Sequence, residues 1–124
     1  MTELADRLAA IQARCDAATE GPWYHQPWGG QNQNGDHSGG EVFDAHGEYL
    51  IHDVSDEDGA FIAASRTDLP TLLAAVQAVM ELHSPIERRD GPVCDHCLYS
   101  PRVGAYPYPC PTVQAITTAL EAQG

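Results

Sequence analysis

An α+β fold is expected from three observations on this sequence. Apolar residues recur at helical spacing near both ends, and apolar and polar residues alternate around a glycine turn in the first half. Cysteine and histidine residues gather in the last third. Together these predict a small three-stranded antiparallel sheet packed by about four helices, with a cross-linking site near the C-terminus. At 124 residues the chain is one domain, 1–124, with room for a modest core and a size at which cross-links still matter.

The elements follow in order. Leu4, Leu8, Ile11 and Cys15 form the stripe of a helix over 2–18, with Thr2 as its cap and Glu3 in its first turn. Gly21-Pro22 ends it, and Cys15, lying on the stripe, reads as a buried thiol. Residues 22–54 hold the sheet. Trp23 to Trp28 is an edge strand, with both tryptophans expected against the core, and 29–40 (GGQNQNGDHSGG) is a mobile loop without an aliphatic anchor. Glu41 to Ala45 and Glu48 to Val54 flank His46-Gly47 as a hairpin.

Helices occupy 56–83. Ser55 caps the first, followed by Asp56, Glu57 and Asp58 at the positive end of the helix dipole. Thr67 caps a second with Pro70 in its first turn, and its stripe of Leu69, Leu72, Leu73, Val76, Val79 and Met80 leads to His83 just before Ser84-Pro85. Residues 84–122 comprise a connector, Ile86 to Pro92, then Cys94-Asp95-His96-Cys97, then a Pro/Tyr/Gly loop holding Tyr99, Tyr106 and Tyr108. A last helix opens at Cys110-Pro111 and runs on Val113, Ile116 and Leu120.

Composition narrows the function classes. Apolar residues at 43% and charged residues at 19% describe a globular chain. Eighteen acids against six bases give −12, which argues against direct nucleic-acid binding and suits basic partners or plain solubility. Met1-Thr2-Glu3-Leu4 has neither a basic n-region nor an apolar run behind it, and no stretch approaches membrane-spanning length, so a cytoplasmic protein without membrane contact is expected. In a reducing compartment, unevenly spaced cysteines read as metal ligands or buried thiols before disulfides.

The ligand pattern points to structural zinc. C-x2-C supplies two sulfurs to one centre, a helix N-terminus at Cys110 favours an anionic third, and His83 at a helix end is the expected fourth. His96 is the rival, although inside so tight a knuckle it points away from the metal. A catalytic alternative exists: His46-Gly47-Glu48 with Cys94-x2-Cys97 imitates the H-x-E and C-x-x-C halves of zinc nucleobase deaminases. Against it, His46 falls in a hairpin turn instead of a helix start, Val93 stands where proline belongs, and Cys110 is left without a role. No G-x-S-x-G, phosphate-binding glycine loop or H-E-x-x-H is present, and Asp53, Asp56, Glu57 and Asp58 do not have EF-hand spacing.

Several runs resemble those of small accessory proteins of actinobacterial phages and prophages, a group with no assigned activity. They are Arg14-Cys15-Asp16-Ala17-Ala18-Thr19 with Gly21-Pro22-Trp23, Ala60 to Ala63, Arg66 to Val76, Leu82-His83-x-Pro85, Cys94-x2-Cys97 and Tyr108-Pro109-Cys110-Pro111-Thr112-Val113. The resemblance covers most of the chain outside 29–40. It implies His83, Cys94, Cys97 and Cys110 as the ligand set and a place of action in the host cytoplasm. The expected function is a non-enzymatic, zinc-stapled protein that binds and modulates a host protein. The alternatives are an acidic decoy imitating nucleic-acid phosphates, for which the acids are spread over too many segments, and the deaminase-like enzyme.

Overall fold

A computed structural model of the chain describes residues 2–27, 39–100 and 104–123. Trp28 and the 29–38 part of the expected loop lie outside them, as does the side chain of Tyr99. The element order is α1 (Thr2–Ala17), β1 (Tyr24–Gln26), β2 (Gly40–Phe43), β3 (Tyr49–Val54), α2 (Asp56–Leu82), β4 (Pro85–Arg88), β5 (Gly91–Ser100), β6 (Gly104–Pro107) and α3 (Pro111–Gln123). The α+β class is as expected. Packing divides the chain into two compact units, Ala9–Leu73 and Met1–Leu8 with Ala74–Gly124. No helix among the described residues is long and apolar enough to cross a membrane.

The unit Ala9–Leu73 contains the expected sheet, antiparallel in the order β1-β2-β3. Val42, with no exposed surface, sits at its centre, opposite His25 on one side and Ile51 on the other. The hairpin turns at Gly47, whose φ of +83° is the left-handed conformation a glycine adopts without strain. Asp44 holds that turn together. It is 6% exposed, and one carboxylate oxygen accepts the backbone N–H groups of His46 (2.8 Å) and Glu48 (2.9 Å). The Glu48 N–H, followed by those of His46 and Gly47 and the nearby His46 charge, holds the Asp44 carboxyl below its usual value of 3.8 against the opposing effect of burial.

β2 and β3 slip register between Gly40 and Phe43. There Asp53 adopts a φ of 58°, uncommon outside glycine, and its Oδ1 accepts the Gly39 N–H at 2.7 Å. Ser55 caps α2 as expected, its hydroxyl accepting the Asp58 N–H. Gly59, in the next turn, is buried against the His25 ring, and a Cβ there would collide with that ring.

The structure corrects the helices over 56–83. They are one uninterrupted α2, so the described residues form three helices, and Thr67 starts nothing. Pro70 lies inside α2, where it removes one N–H and normally costs about 3 kcal/mol. The packing face overrides that cost. Buried Ala63 and Leu73 and the half-buried Arg66 and Pro70 fall on one stripe, spaced three and four residues apart, that continues straight through the proline. The same geometry turns Leu69 and Leu72 outward, 47% and 63% exposed, although both had been expected inside. Trp23 is only half-buried, and its indole N–H donates to the Thr19 carbonyl at 3.0 Å.

A second correction concerns 84–109. The expected connector and loop form another antiparallel sheet, β4-β5-β6, within the other unit. Arg88 pairs with Gly91 across a two-residue turn, and Gly91 takes a φ of +115°.

The Asp44 turn is testable by NMR. Because the folded carboxyl is the stronger acid, its contribution is complete above pH 3.8 and fades as pH falls through the lower folded value. The His46 and Glu48 amide shifts should therefore titrate together with a midpoint below 3.8. Asp44→Asn, which keeps an acceptor oxygen, should retain the hairpin without that titration, whereas Asp44→Ala should loosen it.

Candidate metal centre

Three separate pieces of backbone bring four side chains together in the unit that contains β4, β5 and β6. His83 follows the last turn of α2, where its N–H still donates to the Val79 carbonyl at 3.0 Å, and Pro85 ends the helix directly afterwards. Cys94 and Cys97 sit in the middle of β5. There the ladder advances five residues along β5, Val93 to Leu98, while β6 covers two, Pro107 to Ala105. The surplus bulges out as a knuckle, and the Cys97 N–H donates back to Cys94 Sγ at 3.4 Å. Cys110 stands at the N-cap of α3: its carbonyl accepts the Gln114 N–H at 2.9 Å, and Pro111 takes the first helical position, where its missing N–H costs nothing.

The geometry is that of a coordination shell. His83 Nδ1 lies 3.3 Å from Cys94 Sγ, 3.3 Å from Cys97 Sγ and 3.5 Å from Cys110 Sγ. All four ligand atoms are within 4.8 Å of one another, and the cysteines are free thiols. A tetrahedral ion with bonds of about 2.0 Å to nitrogen and 2.3 Å to sulfur sets nitrogen–sulfur edges of about 3.6 Å. The observed separations fit that figure to a few tenths of an ångström, and the cluster can hold a metal ion.

Electrostatics agree with the geometry. Burial opposes ionisation of Cys94, but the backbone N–H groups of Cys97 and His96, with the His83 and Cys110 side chains, outweigh it and bring the thiol down to about 7. Cys97 moves the other way. Burial, then the Cys110 and Cys94 sulfurs beside it, push its thiol up to about 11. Crowded sulfurs cannot all ionise at neutral pH without positive charge among them, which a divalent cation supplies.

The surroundings fix the ligands. Cys94 and Cys110 are 1% and 0% exposed, and His83 is 7% exposed. Pro85 pairs with Cys94 in the ladder, and the Asp95 N–H donates to the Ser84 carbonyl at 2.8 Å, so the knuckle is tied directly to the end of α2. Tyr108, whose N–H donates to the Pro92 carbonyl at 3.0 Å, is half-buried, and its phenol is pushed up by burial and then by Cys110 and Cys94. The rival histidine is beside the cluster and not part of it: His96 is exposed and meets the His83 ring edge-on, centroids 5.0 Å apart at 83°. Cys15 is buried on α1, as its place on the apolar stripe implied.

The backbone ties through Ser84 and Pro92 were not read from the sequence. They belong to the second sheet, and Asp90-Gly91, a hairpin dipeptide, was the one local signal for it. His46 and Glu48 lie at the Asp44 turn between β2 and β3, not at a helix start. No family model, curated protein or solved structure matches the chain.

The two histidines separate cleanly by mutation. One of four ligands carries about a quarter of a binding free energy of roughly 10–16 kcal/mol, so His83→Ala should weaken metal binding about a hundredfold or more. Spectroscopic titration with Co2+ would read this directly, with a lowered Tm beside it. His96→Ala should leave both nearly unchanged.

Proposed function

We propose that the cluster is a structural zinc site and that the protein acts by contact, as a non-enzymatic phage accessory protein that binds and modulates a host protein in the host cytoplasm. The observation that carries this reading is the completeness of the ligand set. One imidazole and three sulfurs from three chain segments converge within 4.8 Å, the donor number and type of closed structural zinc sites. Soft thiolates with one imidazole favour zinc over the oxygen-seeking cations, and four protein donors leave no corner for the water that a catalytic zinc activates.

The deaminase-like alternative needs a three-ligand site with His46 as donor. Its weakness is that His83 and Cys110 already complete the set around Cys94 and Cys97. The acidic-decoy alternative keeps its support in the charge of −12, but the acids are spread over several segments of the chain, with Asp56, Glu57 and Asp58 together in the first turn of α2. The phage context rests on the sequence resemblance alone.

The tyrosines near the site are candidates for the contact surface, since tyrosine offers large amphipathic area at interfaces. Tyr106 lies in β6 and Tyr108 just after it, both half-buried. Tyr108 lies near enough to Cys110 and Cys94 to feel their charge, so Tyr106 is the probe of contact that leaves the site undisturbed.

Purified protein should contain about one zinc per chain, released by chelator together with loss of the β4–β6 amide pattern. Elemental analysis without zinc, or thiols that all react at once in native protein, would end the zinc reading. Turnover of cytidine or adenosine would end the non-enzymatic one. Tyr106→Ser, zinc-loaded and folded, should lose a host partner that the parent protein captures from lysate.

A further inference from the structure

The outer face of the first sheet carries a constellation that neither the metal centre nor the nearby tyrosines use. Strand pairing sets Tyr24 opposite Phe43, Phe43 opposite Tyr49, and Gln26 opposite Glu41. Residues two apart on a strand share a face, so Glu41 and Phe43 look the same way, opposite to the fully buried Val42 between them. The Phe43 and Tyr49 rings are 4.7 Å apart at 41°, and Tyr49 stacks on His52 at 4.6 Å and 27°. His52 Nδ1 is then 3.8 Å from Glu41 Oε2. A row of rings thus ends on a carboxylate, and both Tyr24 and Tyr49 are 56% exposed.

Two further observations say what is missing there. The Glu41 side chain keeps 30% of its surface exposed, while its enclosed Oε2 has no hydrogen-bond donor among the described residues, a costly state for a carboxylate oxygen. Among the described residues no arginine pairs with that carboxylate, and only His52 stands near it, at 3.8 Å. All six basic residues of the chain are arginines, yet among the described residues the ion pairs are made by histidines, His25, His46 and His52.

We propose that this face, built by Tyr24, Phe43, Tyr49, His52 and Glu41, is a docking surface for an arginine side chain presented by a partner protein. A guanidinium is planar and weakly hydrated. It stacks on aromatic rings while its N–H fork donates to a carboxylate, which is the pair of functions that this row of rings and Glu41 offer. A lysine ammonium, compact and strongly hydrated, uses the carboxylate but gains less from the rings. The charge of −12 draws cationic segments toward the surface and repels nucleic acid, whose bases would otherwise suit an aromatic platform. A neutral sugar would stack on the rings but bring no charge to Glu41. The proposal does not rest on the zinc reading, because all five side chains belong to the unit Ala9–Leu73 and every metal ligand to the other.

The test uses the full-length, metal-loaded protein labelled with 15N, titrated at low salt with acetyl-Gly-Arg-Gly-amide and with its lysine and citrulline counterparts. Arginine should give saturable shifts confined to amides of 41–43 and 49–52 and to the Tyr24 and Tyr49 rings. Citrulline, which keeps the shape without the charge, should bind at least about tenfold more weakly, the scale of one charge-assisted hydrogen bond. Glu41→Gln preserves volume and fold and should weaken arginine binding by a similar factor, and Tyr49→Leu should do the same, with spectra elsewhere and metal content unchanged. The proposal fails if no saturable shift appears by about 50 mM peptide, near the weak limit of a single contact. It also fails if citrulline binds as well as arginine, if Glu41→Gln binds arginine unchanged, or if the shifts spread over the acidic surface at large. Methyl glucoside or adenosine monophosphate saturating this face while the arginine peptide does not would assign it to a different ligand class and overturn it.

Discussion

The separation of three sulfurs and one imidazole nitrogen within 4.8 Å is the constraint on which the C-terminal unit depends. Of the four largest fully buried side chains among the described residues, Cys94 and Cys110 are two, and Val113, three residues into the helix that Cys110 caps, is a third. The centre of this unit is therefore made of ligands as much as of hydrocarbon. β4 is exposed along its whole length, and hairpins with so little apolar cover are marginal in water. A multivalent ion held by the end of α2, the middle of β5 and the start of α3 would replace burial with coordination and would close the loops between them.

This explains why the site was more legible in the sequence than the sheet around it. Ligand identity and helix punctuation are local properties. Cys94-x2-Cys97, His83 ahead of Ser84-Pro85 and Cys110 ahead of Pro111 each announce themselves within a few residues, and the structure brings those four together. Strand pairing is not local. Pro85, Pro92 and Pro107 lie within β4, β5 and β6, and proline in a stretch argues against a strand when its partner is unknown. Each becomes tolerable because the sheet has only three strands and its ladder is already broken at the knuckle.

Helix α2 shows the opposite failure, a strong local signal overridden by packing. Thr67 followed by Pro70 is a good helix start, because a proline in the first turn interrupts no hydrogen bond, whereas in the helix interior it interrupts one. Gly59, Ala63 and Leu73 are nevertheless buried on both sides of it, and that burial depends on a continuous helix. The same rotation that aligns them leaves Phe61, 75% exposed, with Leu69 and Leu72 on the outside. Periodicity had counted the leucines as core because a helix with apolar residues on more than one face does not reveal which face is covered. The first sheet was easier: its alternation and the His46-Gly47 turn were visible, but the carboxylate of Asp44 that fastens the turn was not, since an acid at the end of a strand gives no hint of being buried.

The acidity of the chain has to be understood together with those exposed apolar groups. Phe61, Leu69, Leu72, Tyr24 and Tyr49 are large side chains left in contact with solvent on a small protein, a composition that ordinarily invites self-association. Eighteen acids against six bases oppose it, because two copies approaching face to face bring like charges together before any apolar area is removed from water. The repulsion acts on copies of the chain and not on a basic partner, for which its sign is reversed. A net charge of this sign therefore opposes pairing of the apolar and aromatic surface with itself and does not oppose the approach of a cationic segment.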